Sequence, residues 1–199
     1  MKIIAIDLSL RSTGISYVVK NTLIDFSVIK NKTAKDEDLI LDNCNKIINW
    51  IKEKNENPDF IRIEGLSFNS ISGAKDIITG QFWYLRCKIV QEFPNSKLEI
   101  IPVLTWRNPL FNKYERKELA EAKKRLKLLK KSSQGEKGNN RKEILLFNKN
   151  LELDASIKEK TWLKLNKEIQ NKIIDYITYN KYNIETKYDI TDSIFIGLF

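Results

Sequence analysis

The sequence predicts an α/β fold built on one mixed five-stranded sheet, in which three antiparallel strands are followed by two parallel strands and helices flank the sheet. Three observations predict this fold. Short β-rich runs open the chain, apolar residues at helical spacing come next, and a strand, a helix and a strand then succeed one another. The last pattern indicates a parallel pair joined by a crossover. We expect residues 1–199 to form a single domain, with a basic helical insertion at about residues 107–188.

The predicted strands are short runs rich in β-branched residues and bounded by polar segments. They cover residues 2–8, 14–19, 23–29, 59–64 and 98–103. The close spacing of the first three is typical of successive hairpins. The first and fourth strands are expected to be neighbours in the sheet.

Helices are predicted where apolar residues recur every three or four positions. They cover residues 36–56, 74–93 and 114–131, and a last helix is expected to begin near Asp189. The first two carry an apolar stripe that would pack on the sheet. The third is rich in Lys and Arg, and a polar loop at residues 132–140 ends it.

The composition excludes several classes of protein. Hydrophobic residues make up 42% and charged residues 31% of the chain, and no apolar run approaches the roughly 20 residues of a membrane helix. Asp7 interrupts the apolar start, so this segment does not look like a secretion signal, and a cytoplasmic location is expected, or the host cytoplasm for a viral protein. Cys44 and Cys87 both fall in apolar helical patterns and are interpreted as core residues.

The chain contains no histidine. Zinc sites made of imidazole groups and catalytic triads with a histidine base are therefore excluded. Any catalysis must use carboxylates, lysine, tyrosine or a metal ion. No organic cofactor is expected.

Positive charge is concentrated in one segment. Residues 107–149 contain 14 Lys and Arg and 5 Glu, a net charge of +9, whereas the rest of the chain has 21 basic and 21 acidic residues. Such a block is typical of a surface that binds a polyanion, most simply a nucleic acid backbone. The alternative is a solvated helix face in a lysine-rich protein.

Four acidic residues lie at positions from which their side chains could converge on one site. Asp7 ends the first predicted strand, Glu64 ends the fourth, and Asp189 and Asp192 lie three residues apart at the start of the last helix. Acids at the ends of adjacent strands can converge, and residues three apart on a helix face the same way. Packed carboxylates are costly unless cations neutralise them. Taken singly, Asp7 could cap a turn, Asp189 could be an N-cap and Asp192 could complement the helix dipole.

Oxygen ligands without nitrogen or sulfur favour Mg²⁺ or Mn²⁺. Two such ions about 3.5 to 4 Å apart can bind the attacking water and the leaving oxygen of a phosphodiester. The hypothesis is a site with two ions held by the four acids. A histidine base would not be needed.

The motifs around these acids resemble those of the RuvC Holliday junction resolvases. Asp7 lies in AIDLSLRSTG (residues 5–14), Glu64 in IEGLSF (63–68), and Asp189 and Asp192 in DITDSI (189–194). The resemblance spans roughly residues 2–106 and 189–199, and its specificity comes from the ordered set. The longer basic stretch at 107–188 is similar to that of enlarged phage or viral relatives.

The resemblance implies a ribonuclease-H-like fold and an Mg²⁺-dependent endonuclease that resolves four-way DNA junctions by symmetric cuts. It also implies a homodimer, with Trp83 and Tyr84 on the interface helix, where a core role is the alternative. All four acids would be catalytic metal ligands, with Asp7 bridging both ions. Candidate DNA contacts are Ser9, Arg11, Phe68, Arg107, Lys113, Arg116, Lys117, Lys123, Lys124 and Arg125. For Phe68, a place in the core is the alternative.

Three other functions fit parts of the sequence. A nuclease on the same fold that cuts flaps, other branched DNA or RNA would share every metal ligand. An actin-like or sugar-kinase-like ATPase has a similar first phosphate loop, but its second glycine-rich loop is missing from a chain with 7 glycines. A DNA-binding protein without catalysis is disfavoured, because the acids are intact.

Overall fold

The structure, a computed structural model, describes residues 1–31, 36–54, 57–66, 75–132 and 151–199. Five strands form one sheet in the order β3-β2-β1-β4-β5. They are β1 Lys2–Asp7, β2 Ser12–Val19, β3 Thr22–Lys30, β4 Phe60–Glu64 and β5 Lys97–Ile101. The first three strands pair antiparallel, whereas β1 with β4 and β4 with β5 pair parallel. The predicted mixed sheet and the adjacency of the first and fourth strands are confirmed.

The hairpin between β2 and β3 follows from its two central residues. Lys20 and Asn21 have φ of 48° and 63°, both in the left-handed region. Two consecutive residues of this kind give a turn whose twist matches that of the strands. The turn sets the register next to it, with Val19 opposite Thr22 and Val18 opposite Leu23, and an irregularity between Tyr17 and Val18 shifts the remaining pairs by one residue.

Two helices cover one face of the sheet, α1 Asp36–Lys54 and α2 Lys75–Glu92. The apolar cluster between them and the strands includes Ile4, Ile6, Ile61, Ile63, Cys44, Ile47, Ile51, Phe82, Leu85 and Ile89. Burial of this stripe is the main stabilising contribution on that face. The helical spacing predicted both helices.

Cys87 is exposed, so its interpretation as a core residue is wrong. The buried positions of α2 are Phe82, Leu85 and Ile89. Cys87 lies two residues from both Leu85 and Ile89, which on a helix places it on the opposite side. Cys44 is buried as predicted, and burial raises the pKa of its thiol to about 12.

The chain divides into two compact units. The first, called here the sheet unit, comprises Met1–Trp106 and Glu168–Phe199, and the second, called the basic unit, is Arg107–Lys167. The short helix α3 Val103–Arg107 leads from one to the other along the chain. Pro102 has no N–H to donate, which is why β5 ends at Ile101 and not at residue 103.

The basic unit contains α4 Lys113–Ser132, a helical segment at 151–154 and α5 Ile157–Trp162. A reciprocal capping box starts α4. The Glu115 N–H donates to Asn112 Oδ1 and the Asn112 N–H donates to Glu115 Oε2, both at 2.9 Å. Among the described residues, no helix is both long enough and apolar enough to cross a bilayer.

The last two helices return to the sheet unit. They are α6 Lys167–Tyr179 and α7 Thr186–Leu198. The Tyr176 hydroxyl lies 3.0 Å from Ser27 Oγ, and its ring packs edge-on against Phe26 of β3. The last helix begins at Thr186 and not near Asp189, because the Asn183 side-chain oxygen accepts from the Glu185 N–H and its backbone carbonyl accepts from the Thr186 N–H.

Candidate metal centre

Two of the predicted acids end neighbouring parallel strands. Asp7 is the last residue of β1 and Glu64 is the last residue of β4. Ile6 pairs with Ile63 in the parallel register, so the two acids come next to one another at the carboxyl ends of their strands. Both side chains are partly buried.

Asp192 joins them from the last helix. One carboxylate oxygen from each of Asp7, Glu64 and Asp192 lies within 4.8 Å of the others. Asp192 is only 3% exposed, and one oxygen of Asp192 and one of Glu64 are fully shielded from solvent. Charges at this separation repel by on the order of 3 kcal/mol per pair for an effective dielectric of about 20.

This donor set fits a divalent cation. The three oxygens lie within 4.8 Å of one another, so small side-chain adjustments would bring all of them to the 2.0 to 2.6 Å at which Mg²⁺ and Ca²⁺ bind oxygen. No sulfur or nitrogen ligand is among the three residues. A cation between them would also reduce this repulsion.

The position of α7 over the sheet depends on close packing. A Cβ at Gly14 of β2 would lie 1.9 Å from the carbonyl oxygen of Asp189, and a Cβ at Gly197 would lie 2.8 Å from Val18 Cγ2. Only glycine permits so close an approach of helix and strand at residue 14. Ser16 Oγ also donates to the Ser193 carbonyl at 2.9 Å. These contacts set how far Asp192 reaches over the strand ends.

The far end of α7 is held by Arg62 of β4. Its guanidinium donates to the carbonyls of Ile196 and Gly197, both at 3.3 Å, and pairs with Glu99 at 3.1 Å. A cation at the carboxyl end of a helix satisfies carbonyls that have no partner within the helix. The side chain of Glu99 has a lowered pKa, caused mainly by Lys97 and then, against the opposing effect of burial, by Arg62.

Asp189 stands outside the three-acid group among the described residues. It lies one turn before Asp192, and its Oδ2 accepts a hydrogen bond from Ser12 Oγ. The Lys30 ammonium donates to Ser12 Oγ at 2.6 Å and to Thr186 Oγ1 at 3.0 Å. Burial lowers the pKa of Lys30, and the charge of Asp189 opposes this shift. Sequence reasoning missed Ser12 and Lys30, because Ser12 lies in the motif of Asp7 without any sign of its partner there, and Lys30 lies outside the three motifs.

A buried polar network holds the loop that follows Asp7. The Ser9 carbonyl accepts from Thr13 Oγ1 at 2.8 Å, from Asn43 Nδ2 at 2.9 Å and from Gln81 Nε2 at 3.3 Å. Thr13, Asn43 and Gln81 are all 0% exposed. Ser9 was predicted to contact DNA, and here its backbone anchors the loop. Only the fold could reveal Asn43 and Gln81, since they sit on different helices.

The predicted DNA contacts lie in different places. Arg11 is exposed in the loop after β1, and Arg107 is partly buried at the start of the basic unit. Phe68 lies outside the described residues. The predicted contacts on α4, all exposed, are Lys113, Arg116, Lys117, Lys123, Lys124 and Arg125.

Helical spacing separates Arg125 from the other cations of α4. One exposed face, called here the basic stripe, carries Lys113, Arg116, Lys117, Lys123, Lys124, Lys127 and Lys131. Arg125 is turned away from that face and lines a cavity of about 540 Å³ together with Glu118, Glu121 and Lys160. The carboxylates beside it make this part of α4 less favourable for a polyanion.

The exposed side of α2 is apolar. Trp83 is 54% exposed and Val90 60% exposed, and Gly80 and Cys87 lie exposed on the same side. The Arg86 guanidinium lies 4.2 Å from the centre of the Trp83 ring. Tyr84 instead packs partly buried against the apolar cluster under the sheet. We call Gly80, Trp83, Cys87 and Val90 the α2 face.

No protein-family model and no curated protein matches the sequence. Solved structures do match. Thermus thermophilus RuvC is 9% identical with a TM-score of 0.52, over 100% of this chain and 92% of that one. The yeast mitochondrial Holliday junction resolvase Ydc2 is 14% identical with a TM-score of 0.49, over 98% of this chain and 75% of the other.

Fowlpox virus resolvase, solved with its substrate Holliday junction DNA, is 16% identical with a TM-score of 0.45, over 100% of this chain and 95% of that one. At these identities the comparison concerns the fold. The overlap with T. thermophilus RuvC extends over the whole chain. The resemblance stated from the motifs is confirmed at this level, and the chain has the ribonuclease-H-like fold of the RuvC structure.

Proposed function

We propose that this protein is an endonuclease, dependent on a divalent cation, that cuts four-way DNA junctions as a homodimer. The observation that carries the proposal is the meeting of Asp7, Glu64 and Asp192, whose carboxylate oxygens come within 4.8 Å of one another. These acids come from positions 7, 64 and 192 of the chain, so only the fold brings them together. The similarity of the fold to that of T. thermophilus RuvC supports four-way DNA junctions as the substrate class.

The three acids would hold Mg²⁺ or Mn²⁺, and Asp189, one turn away, would complete a site for a second ion. Two such ions, when bound, activate a water and stabilise the leaving oxygen during phosphodiester hydrolysis. Asp7 and Glu64 supply rigid ligands, because each ends a strand in the middle of the sheet. Asp192 joins the group from α7 and, because it is almost fully buried, helps to exclude bulk water.

DNA binding is assigned to Arg11, in the loop after β1, and to the basic stripe of α4. Arg11 follows Asp7 by four residues and is exposed, so its guanidinium is available to bind a DNA phosphate. The basic stripe presents seven cations without a carboxylate among them. Phosphate contacts of this kind position a duplex without reading its sequence.

The α2 face would form the homodimer. Gly80, Trp83, Cys87 and Val90 recur at spacings of three, four and three residues, which is typical of a helix seam that packs against another helix. A two-fold dimer brings the same face of both copies together. Cys87 then lies in the interface, so a short thiol crosslinker should join two copies with wild-type protein and fail with Cys87→Ser.

The dimer proposal has its own control. Trp83→Glu places a charge on the α2 face and should give a monomer in sedimentation experiments, whereas Leu104→Glu, also at an exposed apolar residue, should not. A wild-type protein that remains monomeric at concentrations of tens of micromolar would overturn the homodimer. It would leave the metal-dependent nuclease untouched.

The substrate class is tested with one panel of DNAs. Wild-type protein and Asp7→Asn are compared on a four-way junction, a flap, a linear duplex and an RNA–DNA hybrid, each with Mg²⁺, with Mn²⁺ and with chelator. We expect paired symmetric cuts in the junction by wild-type protein and uncut but bound junction with Asp7→Asn. Equal cutting of all four substrates would overturn the junction assignment and favour the broader nuclease, and cutting by Asp7→Asn would overturn the metal site.

A further inference from the structure

One backbone carbonyl near the proposed metal centre receives hydrogen bonds from three elements of the fold. The Ser9 carbonyl accepts from Thr13 Oγ1 of β2 at 2.8 Å and from Asn43 Nδ2 of α1 at 2.9 Å. A third hydrogen bond comes from Gln81 Nε2 of α2 at 3.3 Å. A carbonyl oxygen has two lone pairs, so three donors are more than it needs for its own hydrogen bonding. The peptide group after Ser9 is thus held from a strand and from two helices at once.

This peptide group lies just after a proposed metal ligand. Asp7 is opposite Gly14 where β1 pairs with β2, and the Ser9 N–H donates to Thr13 Oγ1 at 3.2 Å. Two residues of chain span at most about 7 Å. The backbone that carries the Asp7 carboxylate is therefore fixed on one side by the sheet and on the other by the network around Ser9.

The two amides of this network are each satisfied at one end only. Asn43 Oδ1 and Gln81 Oε1 are fully shielded from solvent, and no donor among the described residues reaches either oxygen. Turning either amide over would place an oxygen against the Ser9 carbonyl, so the orientation is set by that carbonyl. A buried acceptor without a partner lowers the stability of a folded protein. Asn43 and Gln81 therefore serve the position of the loop better than they serve the stability of the fold.

We propose that Asn43 and Gln81 are positioning residues, which act through the Ser9 carbonyl to hold the Asp7 carboxylate towards Glu64 and Asp192 at a cost in stability. The inference rests on the proposed metal centre and adds to it two residues that do not touch the ion. Loss of either amide lets the loop after Asp7 move, so the centre binds a divalent ion less tightly.

The two amides are expected to contribute unequally. The Asn43 amide also donates to Thr13 Oγ1 at 3.3 Å, so it holds the loop at two atoms. Gln81 makes one hydrogen bond to the loop, and that bond is longer than the one from Asn43 to the same oxygen. Removal of the Asn43 amide should therefore have the larger effect.

The test is a titration of the full chain with Mn²⁺, in which the free ion is measured by electron paramagnetic resonance. Asn43→Leu should weaken Mn²⁺ binding by about tenfold and Gln81→Met by about threefold, because residues behind a metal ligand change affinity at this level or above it. Leu and Met keep the approximate shape of the two side chains without their hydrogen-bonding groups. The matched controls are Asn45→Leu on α1 and Gln91→Met on α2, which replace exposed amides of the same helices and should leave the affinity unchanged.

The melting temperature without divalent ions separates this role from a structural one. In each single variant the Ser9 carbonyl retains two donors, and a buried oxygen without a partner is removed. The melting temperature of Asn43→Leu and of Gln81→Met should therefore equal that of wild-type protein or exceed it. An excess of Mn²⁺ should also restore junction cutting by Gln81→Met, because a weakened site still fills at a high concentration of the ion.

The outcomes distinguish the inference from the proposed function. Wild-type protein that binds no Mn²⁺ would overturn the metal centre itself. Wild-type affinity in both Asn43→Leu and Gln81→Met, or an equal loss in the two controls, would overturn the positioning role and leave the metal centre standing. A lowered melting temperature in both variants would do the same, because the amides would then support the fold. So would a cutting rate of Gln81→Met that stays low in excess Mn²⁺.

Discussion

The sheet unit and the basic unit differ in how their sequences produce them. The sheet unit gathers distant residues, so that Asp7 and Asp192 meet although 185 positions separate them. The basic unit is one continuous segment that holds 18 of the 35 basic residues and 8 of the 26 acidic ones. The arrangement of the sheet unit suits catalysis, which requires fixed distances between side chains. The charge of the basic unit suits binding of a polyanion. The comparison predicts that catalysis and binding can be damaged separately.

The two units also differ in packing. The largest fully buried side chains among the described residues, from Ile3 to Ile173, all belong to the sheet unit. In the basic unit the best-buried large side chains are Phe111, Leu119, Trp162 and Leu165, each 6 to 8% exposed. A unit with fewer fully buried apolar contacts has a lower free energy of local unfolding. The sheet unit is therefore expected to keep its side chains at fixed positions, and the basic unit to change its conformation more easily on binding.

The largest expected effect is on catalysis. Asp192→Asn should lower the rate of junction cutting by on the order of a thousandfold, because a ligand of the proposed ion is lost, and should leave junction affinity within about threefold. Single-turnover cutting and a binding assay on the same preparation measure both. Asp175→Asn, an exposed acid on α6, is the matched control and should change neither. Equal loss of binding and cutting would break the separation.

The second effect is on stability and on the site together. Gly14→Ala places a methyl group 1.9 Å from the Asp189 carbonyl oxygen, so α7 must move or the variant must unfold. We expect a loss of about 3 kcal/mol in the free energy of unfolding and a weaker Mn²⁺ affinity. Gly80→Ala is the control, since a Cβ there meets only the Ile40 side chain at 3.5 Å. A Gly14→Ala protein with wild-type stability would show that helix and strand are not packed as described.

The third effect concerns the basic stripe. Lys123→Gln with Lys124→Gln should weaken junction binding about tenfold at moderate salt and reduce the slope of log affinity against log salt by about 1.8, because two phosphate contacts are lost. Arg125→Gln should change the slope far less, since Arg125 lies beside Glu118 and Glu121. If Arg125→Gln reduced the slope as much per residue as the lysine substitutions do, the number of charges, and not their face on α4, would decide binding.

The pattern of the sequence predicted much of the sheet and of the candidate site, for physical reasons. The ends of β1 and β4 could be predicted because parallel neighbours bring their carboxyl ends to one edge of a sheet, which placed Asp7 beside Glu64. The motif resemblance added Asp192. The partners of Asp189 could not be predicted, because Ser12, although it lies in the motif of Asp7, meets Asp189 only in the folded chain, and Lys30 lies outside all three motifs. Cys87 was wrongly assigned to the core because the residues around it in the sequence are apolar, although its position on the helix lies opposite the buried Leu85 and Ile89.

Asn43 and Gln81 illustrate a different limit. Each is a buried amide inside an otherwise apolar helix stripe, and a sequence offers no way to see which carbonyl an amide will satisfy. Both bind the Ser9 carbonyl, so the loop after Asp7 is fixed from α1 and from α2 at once. The geometry of the candidate site thus depends on residues that carry no chemical signal by themselves.

The smallest expected effect probes what holds the basic unit together. Lys164 pairs with Glu115 at the start of α4, and its hydrogen bond is the main reason that the pKa of Glu115 is lowered from its ordinary value. A lowered pKa means that the pair stabilises the folded unit above the ordinary pKa of glutamate and that this contribution is lost as pH falls through the lowered value. Lys164→Gln should raise the pKa of Glu115 towards 4.5, measured by carbon NMR of its carboxyl.

Hydrogen exchange at the first turn of α4 should then become less sensitive to acid in Lys164→Gln than in wild-type protein, because the pair no longer contributes at neutral pH. Lys172→Gln is the matched control: it removes the partner of Glu168 on α6 and should leave Glu115 unchanged. An unaltered pKa of Glu115 in Lys164→Gln would mean that the Asn112 capping box alone sets it. In that case the start of α4 is fixed locally, and the contact with Lys164 adds little to the basic unit.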